Sequence, residues 1–324
     1  MSRTYLLALV GLVMLALLPL VLRDYFLHMA VQILIWGFVY TAWSVMGRFG
    51  LVSLGHGAFL GIGGYVPALM WNYWGVTPWL GIPASVVLAA LLALVVGYPA
   101  TRMRVIGHYY ALVTLALSQV VLLSIVALRD VTGGSLGMTP RAVGFSWYAM
   151  QFPDKTQFYY LALLLWLFGL GVWLLVDRGM GASALDAINE DEGAAGAIGV
   201  NIMREKLRVT LVSAALTALG GGVYVQYFMY VNPETVAGVG VSLQIVFAAI
   251  AGGMYALLGP TIGALFTISL TEGLRIFFGT NLIGAANTIY GVLLILFIVF
   301  MPRGIWGLVE YLLARRTPAA APAE

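Results

Sequence analysis

The sequence predicts an all-α, polytopic membrane protein with about ten transmembrane helices and both termini in the cytoplasm. Three observations carry that prediction. Of the 324 residues, 62% are hydrophobic and 9% charged, and the mean hydropathy is +0.98. A soluble domain carries roughly 25% charged residues because water must wet its surface, so lipid must cover most of this one. Apolar runs of about 17–25 residues recur along the chain, the length that crosses the hydrocarbon core of a bilayer. Lys and Arg, finally, concentrate at alternate ends of those runs.

Taken in order, the first run, Leu6 to Leu22, follows a short basic start as a signal peptide does. It is long, contains Pro19 and ends at Arg23-Asp24 with no small-residue cleavage site, so it reads as a retained span. The spans then fall near 4–22, 26–47, 51–70, 79–98, 105–127, 157–176, 207–230, 241–257, 260–278 and 284–301. With the N-terminus inside, the cytoplasmic ends hold Arg3, Arg48, Arg102, Arg104, Arg178, Arg204, Lys206, Arg208, Arg303, Arg315 and Arg316. The other side holds only Arg23, Arg129, Arg141, Lys155 and Arg275, which accounts for all 16 Lys and Arg. The net charge of +3 is therefore a topology signal and not a nucleic-acid surface. Residues 1–316 form one transmembrane domain, and the Pro- and Ala-rich tail 317–324 is expected to be disordered.

One stretch breaks the apolar pattern. Between Arg178 and Arg208 lie Asp186, Glu190, Asp191, Glu192, Arg204, Glu205 and Lys206, a large share of a small stock of charges. Flanked by spans, it reads as a structured cytoplasmic loop that a partner must recognise. Strong helix formers from Leu185 to Val200, closed by Gly199, predict one short surface helix there. Glu190, Asp191 and Glu192 fall in its middle, and Ala194, Ala195 and Ala197 leave it a smooth face. The bland alternative is a solvated connector.

Two spans are poor lipid-facing helices. Gly50–Met70 is rich in glycine and includes His56 and Pro67, and Ala251–Ala264 is interrupted by a Gly pair and by Gly259-Pro260. Gly57-xxx-Gly61 and Gly259-xxx-Gly263 permit close helix approach. The sharper reading is a short or broken helix beside a transport path, since irregular backbone survives at membrane depth only where protein or a water-filled cavity shields it. The two fall five spans apart, as corresponding members of a repeat would, although no residue-level repeat is visible.

Other chemistry is weak or absent. The chain has no cysteine, which excludes disulfides, thiolate metal sites and a Cys nucleophile. Gly133-Gly134-Ser135-Leu136-Gly137 matches G-x-S-x-G but lacks a preceding strand, and Gly61-Ile62-Gly63-Gly64 starts a dinucleotide fingerprint without a βαβ context. There is no P-loop and no metal-ligand cluster. Energy for transport must come from an ion gradient or from another subunit. Gradient coupling needs intramembrane acids or bases, and the candidates are few. Glu272 and Arg275 are spaced as a local helical pair, His28 and His108 lie near interfaces, and His56 fits a hydrogen-bonded packing histidine better than a proton site.

The residues now in view carry a family resemblance. Gly50-Leu-Val-Ser-Leu-Gly-His-Gly-Ala-Phe-Leu-Gly-Ile-Gly-Gly-Tyr65 resembles a signature of the LivM/LivH family, the permease subunits of branched-chain amino acid ABC transporters. Tyr109 to Leu117, the outward Thr132 to Thr139 loop, and Ala187-Ile-Asn-Glu-Asp-Glu-Gly-Ala-Ala195 with Gly199-Val-Asn201 follow in family order. So do Pro233-Glu234, Leu258-Gly-Pro260 and Met301-Pro-Arg-Gly-Ile305, and the likeness is closer to the LivM type. Trp43 to Phe49 departs from the family's aliphatic run, and Gly64 stands where alanine is common, which leaves the solute open.

The resemblance implies a subunit of an ATP-driven importer in the bacterial inner membrane, carrying branched-chain amino acids or a related small solute such as urea, an amide or an aromatic acid. It implies a second, LivH-like permease, two LivG/LivF-like cytoplasmic ATPase subunits that bind the ATP, and a periplasmic or lipid-anchored solute-binding protein. No catalytic residue, metal or cofactor of its own is implied. Glu190, Asp191, Glu192, Ala194, Ala195 and Gly199 become the ATPase-coupling loop, and Ser53, His56, Gly61 and Gly63 the candidate path. The alternatives are a gradient-driven secondary carrier using His56, and a membrane scaffold without transport.

Overall fold

A computed structural model describes residues 3–105, 107–278, 288–289, 291–293, 295–296, 300 and 304–308. The described residues are helical, with no strand beyond two isolated bridges, Met138 with Val231 and Ser146 with Gln151. Among the described residues, six helices are long and apolar enough to cross a membrane. They are α2 (Asp24–Gly47), α4 (Pro78–Arg102), α5 (His108–Ala127), α7 (Lys155–Arg178), α10 (Ile202–Phe228) and Pro233–Gly252. The last comprises a single turn, α11 (Pro233–Val236), and α12 (Val239–Gly252).

The first, third and ninth apolar runs also hold helices, α1 (Arg3–Leu17), α3 (His56–Trp74) and α13 (Gly259–Phe278), but each departs from a plain span. In α1 the α-helix lasts 15 residues, and Leu18–Leu20 tightens into a 3-10 turn around Pro19, which has no N–H to continue the ladder. The start of α3 lies five residues beyond the expected boundary, because Gly50 takes φ +77° and 51–55 remain irregular. Between α12 and α13 the chain breaks at Gly253 (φ 112°), as the Gly pair and Gly259-Pro260 predicted. The tenth run, 284–301, and the tail 317–324 lie outside the described residues except for the isolated positions given above, as do Arg303, Arg315 and Arg316.

The core is built around α10 and α2. From Leu34 to Gly47, α2 is buried on every side, and Arg48 and Phe49 just beyond it are buried too. By contrast α4 buries Ala89 and Ala93 and leaves Val87, Leu88, Leu91, Leu94 and Val95 exposed, a face for lipid. The α3–α10 contact brings backbone against backbone. A Cβ on Gly63 would come within 2.1 Å of the Ala218 carbonyl oxygen, and one on Gly221 within 2.3 Å of the Leu60 carbonyl oxygen. The α12–α13 hairpin closes in the same manner, Gly263 lying against the Ala248 carbonyl. Small residues thus let backbones touch where lipid tails offer no hydrophobic drive for association.

Helix ends sort into two groups. At one end Arg48 pairs with Asp177 at 2.7 Å, and Gly50 lies against Asn189. At the other, Lys155 reaches the Asp24 carbonyl, and the 128–153 segment is tied down by Trp71, which donates to the Arg141 carbonyl at 2.8 Å, and by Trp79, which donates to the Trp147 carbonyl at 2.7 Å. This segment contains the turn α6 (Arg129–Thr132), with Gly133 and Gly134 in the left-handed region; no strand precedes Ser135.

Gly63→Ala forces α3 and α10 apart and is expected to cost about 1–3 kcal/mol, as overpacking does. Gly171→Ala on α7, where nothing lies within 4 Å of the new Cβ, serves as the control. Thermal unfolding in detergent should show a lower midpoint for the first and none for the second.

Candidate functional site

The polar segment between α7 and α10 folds into two helices, not the single helix expected over 185–200. They are α8 (Met180–Glu190) and α9 (Glu192–Ala197). The break is at Asp191, whose extended backbone (φ −155°, ψ 114°) lets its carboxylate accept the Ala194 amide at 2.8 Å. An N-cap carboxylate competes with helix continuation and wins here. Gly199, at φ 92°, ends α9 with the Val200 amide bonded to the Ala195 carbonyl and the Gly199 amide to the Gly196 carbonyl. Asn201 then caps α10 through the Arg204 amide.

This unit is seated from below. Ala182, Leu185 and Ile188 recur on one face of α8 and are buried, and Ala195 anchors α9. Glu192 turns inward and pairs with Lys206, whose side chain is 10% exposed. Arg48, at the end of α2, stacks on Trp173 at 4.0 Å while it pairs with Asp177, fixing the end of α7 where α8 begins. Of the predicted coupling residues, Asp191, Glu192, Ala195 and Gly199 therefore shape the unit, Ala194 is exposed, and Glu190 is exposed at the edge of a neighbouring cleft. Next to the Gly50–Asn189 contact, a cleft of about 820 Å³ is lined by α8–α9 residues on one side and by Phe49, Leu51, Arg104 and Gly107 on the other.

Ser53 and His56 meet in the core. His56 Nε2 lies 2.8 Å from Ser213 Oγ, and Nδ1 lies 3.2 Å from Ser53 Oγ. Ser213 donates to the Ala42 carbonyl at 2.7 Å, so it accepts from His56 Nε2, and Nδ1 is left to accept from Ser53. The ring is the neutral form with both nitrogens satisfied. Gly61 and Gly63 do not join it: Gly61 packs on Ala237, in the link between α11 and α12, and Gly63 on Ala218 of α10. Sequence reasoning missed the serine set around them. Ser118 donates to the Ala237 carbonyl at 2.7 Å and accepts from Ser242 at 3.0 Å, and Ser242 accepts the Gly57 amide at 2.9 Å. Ser118 lies midway along α5, so the start of α12 is held inside the bundle. No spacing marked these serines, because their partners are distant in sequence.

The profile of the family described as "Branched-chain amino acid transport system / permease component" matches residues 25–301. The chain belongs to this family. It is 28% identical over 283 residues to the high-affinity branched-chain amino acid transport system permease protein LivM of Escherichia coli (strain K12) and 27% identical to that of Salmonella typhimurium. Both matches cover 81% of this chain, which spans 65% of the length of these relatives. The probable branched-chain amino acid transport permease protein LivH of Methanocaldococcus jannaschii is 23% identical over 264 residues, 79% of this chain and 82% of the relative. No solved structure matches the chain. The permease is thus a multi-pass membrane protein of the LivM/LivH type.

Glu192→Gln leaves Lys206 without its carboxylate. Discounted for the partial exposure of Glu192, the expected cost is about 1–3 kcal/mol, and a Glu192→Gln/Lys206→Met double variant recovers most of it. Gly50→Ala adds a left-handed penalty of roughly 1–2 kcal/mol to a clash with Asn189. Thermal unfolding and limited proteolysis of the 178–208 segment measure both.

Proposed function

We propose that this permease is the membrane subunit of an ATP-driven importer for branched-chain amino acids or a related small solute. The observation that carries the proposal is the α8–α9 unit, a pre-formed two-helix knob with a buried face on the bundle and with Glu190 and Ala194 exposed. Two ATPase subunits in the cytoplasm grip this knob, hydrolyse ATP that the permease itself does not bind, and push on α7 and α10 through the Arg48–Asp177 and Lys206–Glu192 pairs. A LivH-like second permease completes the path, and a periplasmic or lipid-anchored binding protein delivers the solute. In this reading about ten spans cross the bacterial inner membrane, with both termini and the knob in the cytoplasm. Ser53 and His56 lie near the path as rigid wall groups, and the neutral, doubly bonded His56 ring counts against a gradient-driven carrier that would use it as its coupling base.

Glu190→Lys reverses one outward charge and touches no buried contact. Co-purification in detergent should recover ATPase subunits with the parent chain and lose them, or lose solute-stimulated ATP hydrolysis, with the variant. A parent chain that purifies alone and moves solute under an ion gradient contradicts the proposal.

A further inference from the structure

A second cavity, about 560 Å³, opens at the end of the bundle away from the α8–α9 knob, between α2, α7 and α10 and under the 142–153 segment. Its walls are mostly apolar, with a cluster of aromatic rings among them. Phe152 and Phe158 lie 5.0 Å apart in a T-shaped pair, Phe158 and Tyr227 5.2 Å apart, and Phe228 closes one side. His28 is spent on its neighbours: the Gln32 amide donates to Nε2 at 2.9 Å, and Nδ1 is left to donate to Tyr227.

Two polar groups on this wall are not spent. Gln226 is fully buried on α10, and neither its amide nitrogen nor its carbonyl oxygen has a hydrogen-bond partner among the described residues. A buried amide left unpaired on both sides is unfavourable, and a bound donor and acceptor would relieve it. Lys155, in the first turn of α7, makes one long bond of 3.4 Å to the Asp24 carbonyl and keeps the rest of its ammonium free. At that helix start Asp154 makes no side-chain cap, so the first α7 amides add positive potential beside the ammonium.

We infer that this cavity is a solute site that takes a small carboxylate with an apolar body, the carboxylate at Lys155 and Gln226 and the body against Phe152, Phe158 and Phe228. Its volume lies in the range of small-molecule pockets, and its pattern of apolar walls with few convergent polar groups is theirs as well. The inference rests on the importer reading and deepens it by placing a solute-binding step inside this subunit, at the mouth opposite the ATPase knob.

The test uses the purified full chain in nanodiscs without partner subunits, with radiolabelled leucine as the probe. The parent should bind leucine saturably, and leucinol, which lacks the carboxylate, should fail to compete. Lys155→Gln and Gln226→Leu should each weaken binding by roughly tenfold or more, the loss of one charge-assisted or buried hydrogen bond. Lys155 is exposed, so its variant folds even if the Gln226 variant does not. Absence of saturable binding by the parent, binding unchanged by Lys155→Gln, or a co-purified phospholipid that leucine does not displace in native mass spectrometry each overturns the inference. Those results leave the importer reading standing if ATPase subunits still co-purify with the chain.

Discussion

Everything in this fold depends on backbone contact between α3 and α10. In lipid, burying Leu against Leu gains little over leaving it in acyl chains, so helices associate through close packing and internal hydrogen bonds. Gly63 against Ala218 and Gly221 against Leu60 bring the two backbones together along a glycine seam. His56 then reaches Ser213, and Ser213 reaches the Ala42 carbonyl on α2. One seam and one chain of hydrogen bonds therefore lock three helices, with no water needed to satisfy any of these groups.

The seam also sets what can move. The same α10 that is packed rigidly at Ala218 begins in the α8–α9 knob, where Lys206 holds Glu192. On the far side Arg48 and Asp177 join α2 to the start of the knob. These pairs tie α8–α9 to the helices that carry the core, so the knob is not a loose connector. The α12–α13 hairpin is bound to the same core by different contacts: Ser242 bonds Ser118 and the Gly57 amide, Gly37 on α2 packs against Thr261, and Trp166 on α7 donates to Thr261 at 2.8 Å.

Much of this was legible in the sequence. Composition and run length identified a helical membrane protein, and Gly259-Pro260 and the Gly pair marked the α12–α13 break. The family motifs in order pointed to the permease that the profile match and the LivM relatives support. Detail failed where a local polar contact overrode propensity. Helix formers from Leu185 to Val200 predicted one helix, but Asp191 caps its own successor and splits it. Gly61 and Gly63, read from their spacing as path residues, lie in close packing against Ala237 and Ala218, a contact that glycine spacing alone does not distinguish from the wall of a path. Arg48, read only as a topology charge, proved to be the tie between α2 and α7, and its partner Asp177 lies 129 positions away. Gln226 could not have been singled out at all, since its isolation is a property of what surrounds it.

The central claim is that α8–α9 is the surface an ATPase subunit grips. The chain contains no cysteine, so Ala194→Cys introduces a single reactive thiol on the outward face of the knob. Cross-linking in membranes that contain the whole transporter should trap this thiol on a nucleotide-binding subunit, with a yield that changes when ATP is replaced by ADP. A thiol that labels freely with a water-soluble maleimide in every nucleotide state, and never joins an ATPase subunit, would contradict the account.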